Sequence, residues 1–592
     1  MTRLVLLEHV PASFRPERAD TVVALTPEAC YDLDRREVAY TLTTEFGLDA
    51  ALAALEPQHW EEQLGWIASL DEAVAAEVAA TRGWRFGAAT LYAFDLKRAM
   101  DPLRVQAVEL DTMLDACDRV VLHRRAESTA RARLLPLVAG LRGIEFADRV
   151  DDERPEAGSA EPATPATTES TARLAGLRRR LEARLPRPRA SANGGLTLLF
   201  ADFGYDLEPL LARARARGHR CLRVRGDAVF EEGARRTEVV RLPTEGADSD
   251  WSSAAETIAS SDHSLWNWPN AWLPGAPLAD LLRPRVEDWL RDLMPRVAAR
   301  AAVLEELLRS ERVDMVLGAN IANLDVVTAA AVTTRPTQSV LVDHGHDAFA
   351  QELFDLITLR YVDHDFSPTS EFAGYLSSRR PLRDYPTAEV HVGSYQWRSS
   401  AAPAKPEQPP HPVPDDRPSV VYALTATAGD ARYLNSAFYA DAWYHRLCRE
   451  IVDVLARHPE VFSVVKLFPG DGNVRNPVDL YVDDLGLDHL VSSRAPLRSW
   501  IPWADRIVFD LPSTGLYEAA TAGTPYLALL YTGHRHRPEA VDLLGPAAVH
   551  FTEPAEAARA VEAFVEAATV TAPVLLPEGQ EILTTLERLA RH

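Results

Sequence analysis

Residues Trp503 to Leu529 read WADRIVFDLPSTGLYEAATAGTPYLAL. The apolar run RIVF ends at Asp510, a Pro-Ser-Thr-Gly turn follows, and a helix begins near Ser513 or Thr514. Gly523 stops that helix, and a second apolar run, TPYLALLY, comes next. Strand, turn, helix, glycine stop and strand make one βαβ unit, and such units build parallel sheets. The same alternation continues on both sides. SVVYALTAT and FSVVKLFP read as strands around the amphipathic helix WYHRLCREIVDVLARH, and the tail EPAEAARAVEAFVEAA is helical.

Further upstream, LTLLFADFGYDLEPLLARARARGHRCLRVRGD is another strand, helix and strand, followed by the strands VDMVLGAN and TQSVLVDHGHDAF. The first 150 residues carry short strand-like runs, LVLLEHV, TVVAL, EVAYTL and RVVLH, among helical stretches. Two segments lack the apolar content to join a core. One is Asp151 to Ser170, DDERPEAGSAEPATPATTES, which is followed by a basic helical stretch. The other is Ser400 to Pro418, SAAPAKPEQPPHPVPDDRP. The division expected is a small α/β domain over 1–150, a linker with a basic helix over 151–193, a doubly wound domain over 194–399, a Pro-rich linker over 400–418 and a second doubly wound domain over 419–592. Two such domains leave a cleft between them. Ligands of open parallel sheets bind outside the carboxyl ends of the strands.

Bulk properties narrow the function. The chain has 592 residues and a formal net charge of −23, from 86 acidic and 63 basic side chains. That balance disfavours nucleic acid and anionic membranes as main partners, because both need a basic face. The four cysteines are far apart, which argues for buried thiols rather than a disulfide framework or a cysteine zinc site. The amino-terminal apolar run is too short for a signal peptide, and no stretch is long and apolar enough for a membrane span, so a cytoplasmic protein is expected.

Candidate site residues cluster after the strands. The free N–H groups at the start of the Ser513–Thr514 helix suit a phosphate, and the two hydroxyls add donors. Glu518, one turn on, can accept hydrogen bonds from sugar or ribose hydroxyls. The plain alternative is an ordinary N-cap with an exposed glutamate. Lys466 and the turn beginning at Gly470 follow another strand. His534, Arg535, His536 and Arg537 fill the loop TGHRHRPE, where cations can meet diphosphate or simply be solvated. His344, Gly345 and His346 follow a strand of the upstream domain, where the plain reading is a structural histidine capping a loop. The tryptophans of WNWPNAWLP, Trp266, Trp268 and Trp272, can stack on sugars, but such clusters are more often core. No metal signature stands out: His344, His346 and Asp347 sit too close together in one loop. No P-loop or dinucleotide fingerprint follows a strand.

The pattern AD-x-I-x-x-D-x-P-S-T-x-L-x-E-A-x-x-x-G-x-P resembles the donor-binding region of GT-B glycosyltransferases. It is similar in particular to that of bacterial surface-polysaccharide and CDP-glycerol glycerophosphotransferase-like enzymes. VDHGHDAF resembles that family's His-Gly after an upstream strand, LRYVDHDFSPTSEFAGYLSSR resembles its polar loop before a helix, and EVHVGSYQW its turn before the domain crossover. Tyr395 stands where the family has proline. The resemblance implies two Rossmann-like GT-B domains facing a cleft, donor contacts by Asp510, Ser513, Thr514 and Glu518, and His344 as base toward the acceptor. It also implies a nucleotide-activated sugar or polyol donor, a glycan or lipid-linked acceptor with at most peripheral membrane contact, and neither cofactor nor metal. One departure is plain. Where the family has His-Pro after a carboxyl-domain strand, this chain has Phe468-Pro469, which leaves Lys466 or the Gly470 turn to meet phosphate. Two further readings stay open on these residues: a sugar-nucleotide epimerase or hydrolase of the same fold, and a degenerate, non-catalytic glycan-binding or scaffold subunit.

Overall fold

The computed structural model describes residues 3–79, 81, 84–115, 117–125, 129–151, 195–201, 207–233, 236–245, 249–273, 275–319, 329, 332–333, 336–342, 362–367, 389–393, 408–414, 417–427, 439–468, 476–534, 536, 538–570 and 581–591. His344, Gly345, His346, Gly470, Arg535 and Arg537 lie outside the described residues.

Among the described residues three separate sheets carry the fold, an α/β architecture throughout. The first comprises β1 (Arg3–Leu7), β2 (Asp20–Ala24), β3 (Thr41–Leu42), β4 (Arg119–Arg125) and β5 (Glu145–Asp151) in the order β3-β2-β1-β4-β5, all parallel. The second holds β6 (Thr197–Phe200), β7 (Arg220–Arg225), β8 (Ala228–Glu231), β9 (Thr237–Arg241), β10 (Met315–Gly318), β11 (Gln338–Val342), β12 (His364–Ser367) and β13 (Glu389–Val392). Its order is β13-β12-β11-β10-β6-β7-β8-β9, with neighbours parallel except for the antiparallel pairs β7–β8 and β8–β9. The third holds β14 (Ser419–Ala423), β15 (Phe462–Lys466), β16 (Leu490–Ser493), β17 (Arg506–Phe509), β18 (Tyr526–Tyr531) and β19 (Ala548–Phe551), in the order β16-β15-β14-β17-β18-β19, all parallel. That is the 3-2-1-4-5-6 order of a doubly wound sheet, with its topological switch point between β14 and β17. Every residue of β14, β15 and β18 is buried, which is why these strands read as unbroken apolar runs rather than as alternation.

The first sheet does not stand apart. The helix α1 (Pro27–Arg35) lays Ala29, Cys30 and Leu33 into one core with Trp443, Leu447 and Ile451 of a helix in the third unit. Across the same seam the Tyr31 hydroxyl donates to Asp484 Oδ2 at 2.6 Å, and Asp34 pairs with Arg449. The long helices α2 (Leu48–Glu77) and α3 (Ala93–Leu114) carry a buried ionic cluster in which Asp101 meets Lys97 and, at 2.9 Å, His59. Trp66 of α2 donates its indole N–H to Leu265 O at 2.8 Å. Trp266 is 2% exposed and in the core, and the half-buried rings of Trp268 and Trp272 meet edge to face at 4.7 Å and pack against that core.

Local sequence expectations shift in three places. Asp151 belongs to β5 and lies 3.7 Å from His123, so the strand runs one residue past the expected boundary. EVAYTL forms strand only at Thr41–Leu42, since Glu37 turns the backbone with a φ of 54°. The end of the Pro-rich segment is packed: His411 stacks on Phe462 with centroids 5.9 Å apart.

The chain's last helix crosses back. The α4 helix (Asp441–Ala456) and the α5 helix (Thr514–Ala522) flank the third sheet, but α6 (Ile582–Leu589) buries Ile582, Leu583 and Leu586 against Leu198, Leu207 and Leu210 of the second unit. Glu587 then meets His219 at 2.9 Å. Apolar residues four apart give α6 a single sticky face, and the second sheet supplies the matching surface. Leu583→Ala is expected to cost about 2–5 kcal/mol in a denaturant titration, because its side chain is fully buried. Leu480→Ala, at an exposed position, is expected to cost less than about 1 kcal/mol.

Candidate functional site

The carboxyl ends of β15, β14 and β17 carry Lys466, Thr425 and Asp510 side by side. Asp510 is the fixed point. Its side chain is only 1% exposed, and Oδ2 accepts from the Tyr422 hydroxyl at 3.0 Å and from the Tyr444 hydroxyl at 2.5 Å, while Oδ1 accepts the Thr425 amide at 3.1 Å. The Tyr439 hydroxyl donates to the Asp510 carbonyl. One carboxylate therefore joins β14, the loop after it, α4 and β17 across the switch point. Burial pushes the Asp510 carboxyl up to about 7, against the pull of its hydrogen bonds from Tyr444, Tyr422 and Thr425. The residue lies at the expected strand end, but its oxygens are turned inward to three protein donors. Its geometry is that of a residue positioning the crevice.

The turn after Asp510 leads into α5. Ser513 holds the N-cap position with φ −146° and ψ −165°, and its hydroxyl makes no capping hydrogen bond. The expected ordinary side-chain cap is therefore not made by Ser513, and the first turn presents its amide end without it. Thr514 is the first helical residue. Gly515 is a close-approach position: a Cβ there would lie 2.6 Å from Leu497 Cδ2 and 3.3 Å from Phe509 Cε1. The absence of a side chain lets the start of α5 sit down on the sheet end.

Glu518 and Lys466 complete the group. Glu518 is half-buried one turn into α5, and its carboxyl is raised chiefly by burial, with Arg498 and Lys466 pulling it back. Lys466 is 6% exposed, and burial lowers its ammonium to about 8, with Asp510 and Glu518 opposing that shift. Among the described residues Lys466 makes no hydrogen bond or ion pair. A desolvated ammonium near a helix start has the charge and placement that suit an anion. Phe468, two residues on, is 41% exposed and offers a ring at the same edge.

Lys466, Asp510, Ser513, Thr514 and Glu518 thus meet at one switch point. His534 is placed differently. It is 8% exposed and wedged against Tyr439 and Tyr531, at centroid distances of 4.6 and 5.1 Å, so it belongs to the aromatic packing behind Asp510. His536 contacts the Tyr531 carbonyl at 2.9 Å. The sequence reading missed Tyr422, Tyr439, Tyr444 and Arg498. No local pattern couples Tyr422 to Asp510, 88 residues on; only the parallel pairing of β14 with β17 does.

No protein-family model and no curated protein matches the chain. Similar solved structures include a UDP-GlcNAc 2-epimerase from Neisseria meningitidis bound to UDP-GlcNAc, at 15% identity over 51% of this chain and 83% of that one, with a TM-score of 0.36. The MurG of Acinetobacter baumannii aligns at 10% identity over 68% and 100% of the two chains, with a TM-score of 0.35. The glycotransferase of kitacinnamycin aligns at 12% over 69% and 96%, with a TM-score of 0.35. Likenesses of this size carry no argument about the reaction, which rests on the chain's own residues.

Replacing Asp510 tests the clamp. Asp510→Ala strands two hydroxyls and an amide in the interior and is expected to cost about 3–5 kcal/mol. Asp510→Asn keeps the shape without the titration. An acid whose folded pKa lies above the ordinary 3.8 gives stability that is complete below about pH 4 and is lost as pH rises through about 7. The deficit of Asp510→Asn relative to wild type is therefore expected to shrink between about pH 4 and pH 8, as followed by melting temperature.

Proposed function

We propose that the chain is a transferase that takes a sugar or polyol-phosphate unit from a nucleotide-activated donor, with the donor's diphosphate seated at the switch point of the third sheet. The observation that carries this reading is the closeness of Lys466, the end of α5 that the Ser513 side chain leaves uncapped and the half-buried Glu518 at one switch point. Helix amides and an ammonium are matched to the charge of a diphosphate, and that charge grows on the leaving nucleotide, a diphosphate when the anomeric C–O bond breaks in sugar transfer and a monophosphate when the phosphoanhydride breaks in polyol-phosphate transfer. In this reading Glu518 accepts hydrogen bonds from hydroxyls of the same ligand. The exposed ring of Phe468 gives a base or sugar a stacking face where the resembled enzymes use an imidazole. The acceptor in this reading is a glycan or lipid-linked glycan, and His344 takes its proton. A cytoplasmic location fits such a donor, and no helix among the described residues is long and apolar enough to cross a membrane.

Donor binding is tested by isothermal titration against CDP, UDP, GDP and their sugars. Ser513→Ala with Thr514→Ala removes two hydroxyl donors and leaves the amides, so a loss of about 1–3 kcal/mol in binding is expected. Glu518→Gln is expected to weaken binding without unfolding the protein. Lys466 binds an anion as a cation, so affinity is expected to hold below pH 8 and to fall as pH rises through about 8, where burial sets its ammonium in the free protein. Wild-type affinity in both variants places the donor elsewhere.

His344→Ala separates chemistry from binding. Loss of a general base is expected to slow turnover about 100- to 10,000-fold with nucleotide affinity unchanged. Near-normal turnover removes His344 from the mechanism. Products formed from donor alone point to an epimerase or hydrolase, and tight binding with no product from any acceptor points to a non-catalytic subunit.

A further inference from the structure

Two histidines and a glutamate converge on the second sheet, at the strand ends opposite those that carry ligands in doubly wound folds. His364 opens β12 and Glu389 opens β13, and the parallel register sets these two residues opposite each other. Side chains two apart on a strand share a face, so His391 stands beside Glu389. The three donor groups meet there. His391 Nε2 lies 3.2 Å from His364 Nδ1, His364 Nδ1 lies 3.6 Å from Glu389 Oε2, and His391 Nε2 lies 3.9 Å from Glu389 Oε1.

These spacings are close to those of a coordination shell. A tetrahedral ion with bonds of about 2.0–2.1 Å to nitrogen and oxygen holds its ligands about 3.3–3.4 Å apart. The two imidazoles already stand at that separation. The two rings are nearest different oxygens of Glu389, and its side chain, 64% exposed, has the freedom to rotate one oxygen toward both. The imidazoles themselves are held: their side chains are 8% and 10% exposed, and the buried Phe366 packs on His391 with centroids 5.0 Å apart and planes at 32°. A pair of fixed imidazoles with one hinged carboxylate is a preorganised ligand set with an open fourth position.

We propose that His364, His391 and Glu389 form a binding site for a divalent transition-metal ion of the zinc class, which cross-links the edge strand β13 to β12. Two imidazole nitrogens and one carboxylate oxygen select such ions over magnesium or calcium, which prefer all-oxygen shells. Burial lowers the pKa of both histidines, which keeps them in the neutral form that ligates. Arg588 of α6 is close enough to act on His391, and its charge works against a cation, whereas the Glu389 carboxylate works for one. The bound ion would tie down the last described strand before the chain passes to the third sheet. The ligands come from strands joined only in the folded sheet, and the linear spacing of 27 residues between the histidines matches no metal motif.

The test uses the full chain, stripped with chelator and titrated with Co2+ and then Zn2+. The site predicts one equivalent of Co2+ with a visible d–d absorption band, displacement of that band by one equivalent of Zn2+, and a higher melting temperature with Zn2+ bound. His364→Ala, His391→Ala and Glu389→Gln are each expected to lose or weaken that equivalent. Glu389 is exposed, so its variant reports binding with the fold intact, and circular dichroism of the metal-free histidine variants checks theirs. No stoichiometric binding by wild type leaves the 3.2 Å contact as a simple hydrogen bond between imidazoles and overturns the proposal. So does an equivalent retained by both histidine variants, since the chain has 17 histidines and the ion would then sit elsewhere. These readouts are independent of any transferase activity.

Discussion

The Asp510 carboxylate is surrounded by protein donors at the one place in the third sheet where the strand order reverses. Adjacent strands there send their following loops in opposite directions, which opens a crevice and also leaves two strand ends unsupported. Asp510 bridges them, because Tyr422 comes from one strand, Tyr444 from the helix beyond it and Thr425 from the loop between. Burying a carboxylate is costly unless its lone pairs are satisfied, and here three donors satisfy them. The position of the Ser513 helix start follows from this clamp, since that helix begins three residues after it. Lys466 and Glu518 lie close enough to this clamp and to each other to interact electrostatically.

The same logic of shared surfaces joins the three sheets. Each is doubly wound, yet none keeps its core to itself. The amino-terminal unit gives α1 to the third unit and the α2–α3 pair to the helices that follow β9, while α6 returns from the end of the chain to the second sheet. An amphipathic helix settles on whichever apolar surface its linker lets it reach. The 30-residue α2 and the terminal α6 reach beyond their own units. The amino-terminal unit thereby contributes to the environment of the site: Asp49 accepts from Tyr531, whose ring packs on Tyr439, which in turn donates to the Asp510 carbonyl.

Chemistry divides between the two ends of the strands for an electrostatic reason. At the carboxyl ends, helices begin and point their amide ends toward the crevice, so anions are favoured. At the amino ends no such array opposes a cation. There the second sheet gathers imidazoles and a carboxylate, a ligand set of the opposite character.

Much of the fold was legible in the sequence because parallel strands buried on both faces write themselves as apolar runs, as in SVVYA and YLALLY, and glycine marks where the intervening helices stop. The strand, turn and helix around Asp510 were legible for the same reason, down to the N-cap at Ser513. Side-chain orientation was not legible. Asp510 turns inward rather than toward a ligand, and His534 is packed against tyrosines rather than solvated, because each depends on residues brought near only by strand pairing. The sequence by itself determined the alternation of strands and helices, since local hydrophobic period and turn chemistry act within a few residues. The tertiary structure alone decided which carboxylate is a clamp, which unit receives α6, and that His364 meets His391. Those outcomes depend on the register between strands distant in sequence, which no local pattern encodes.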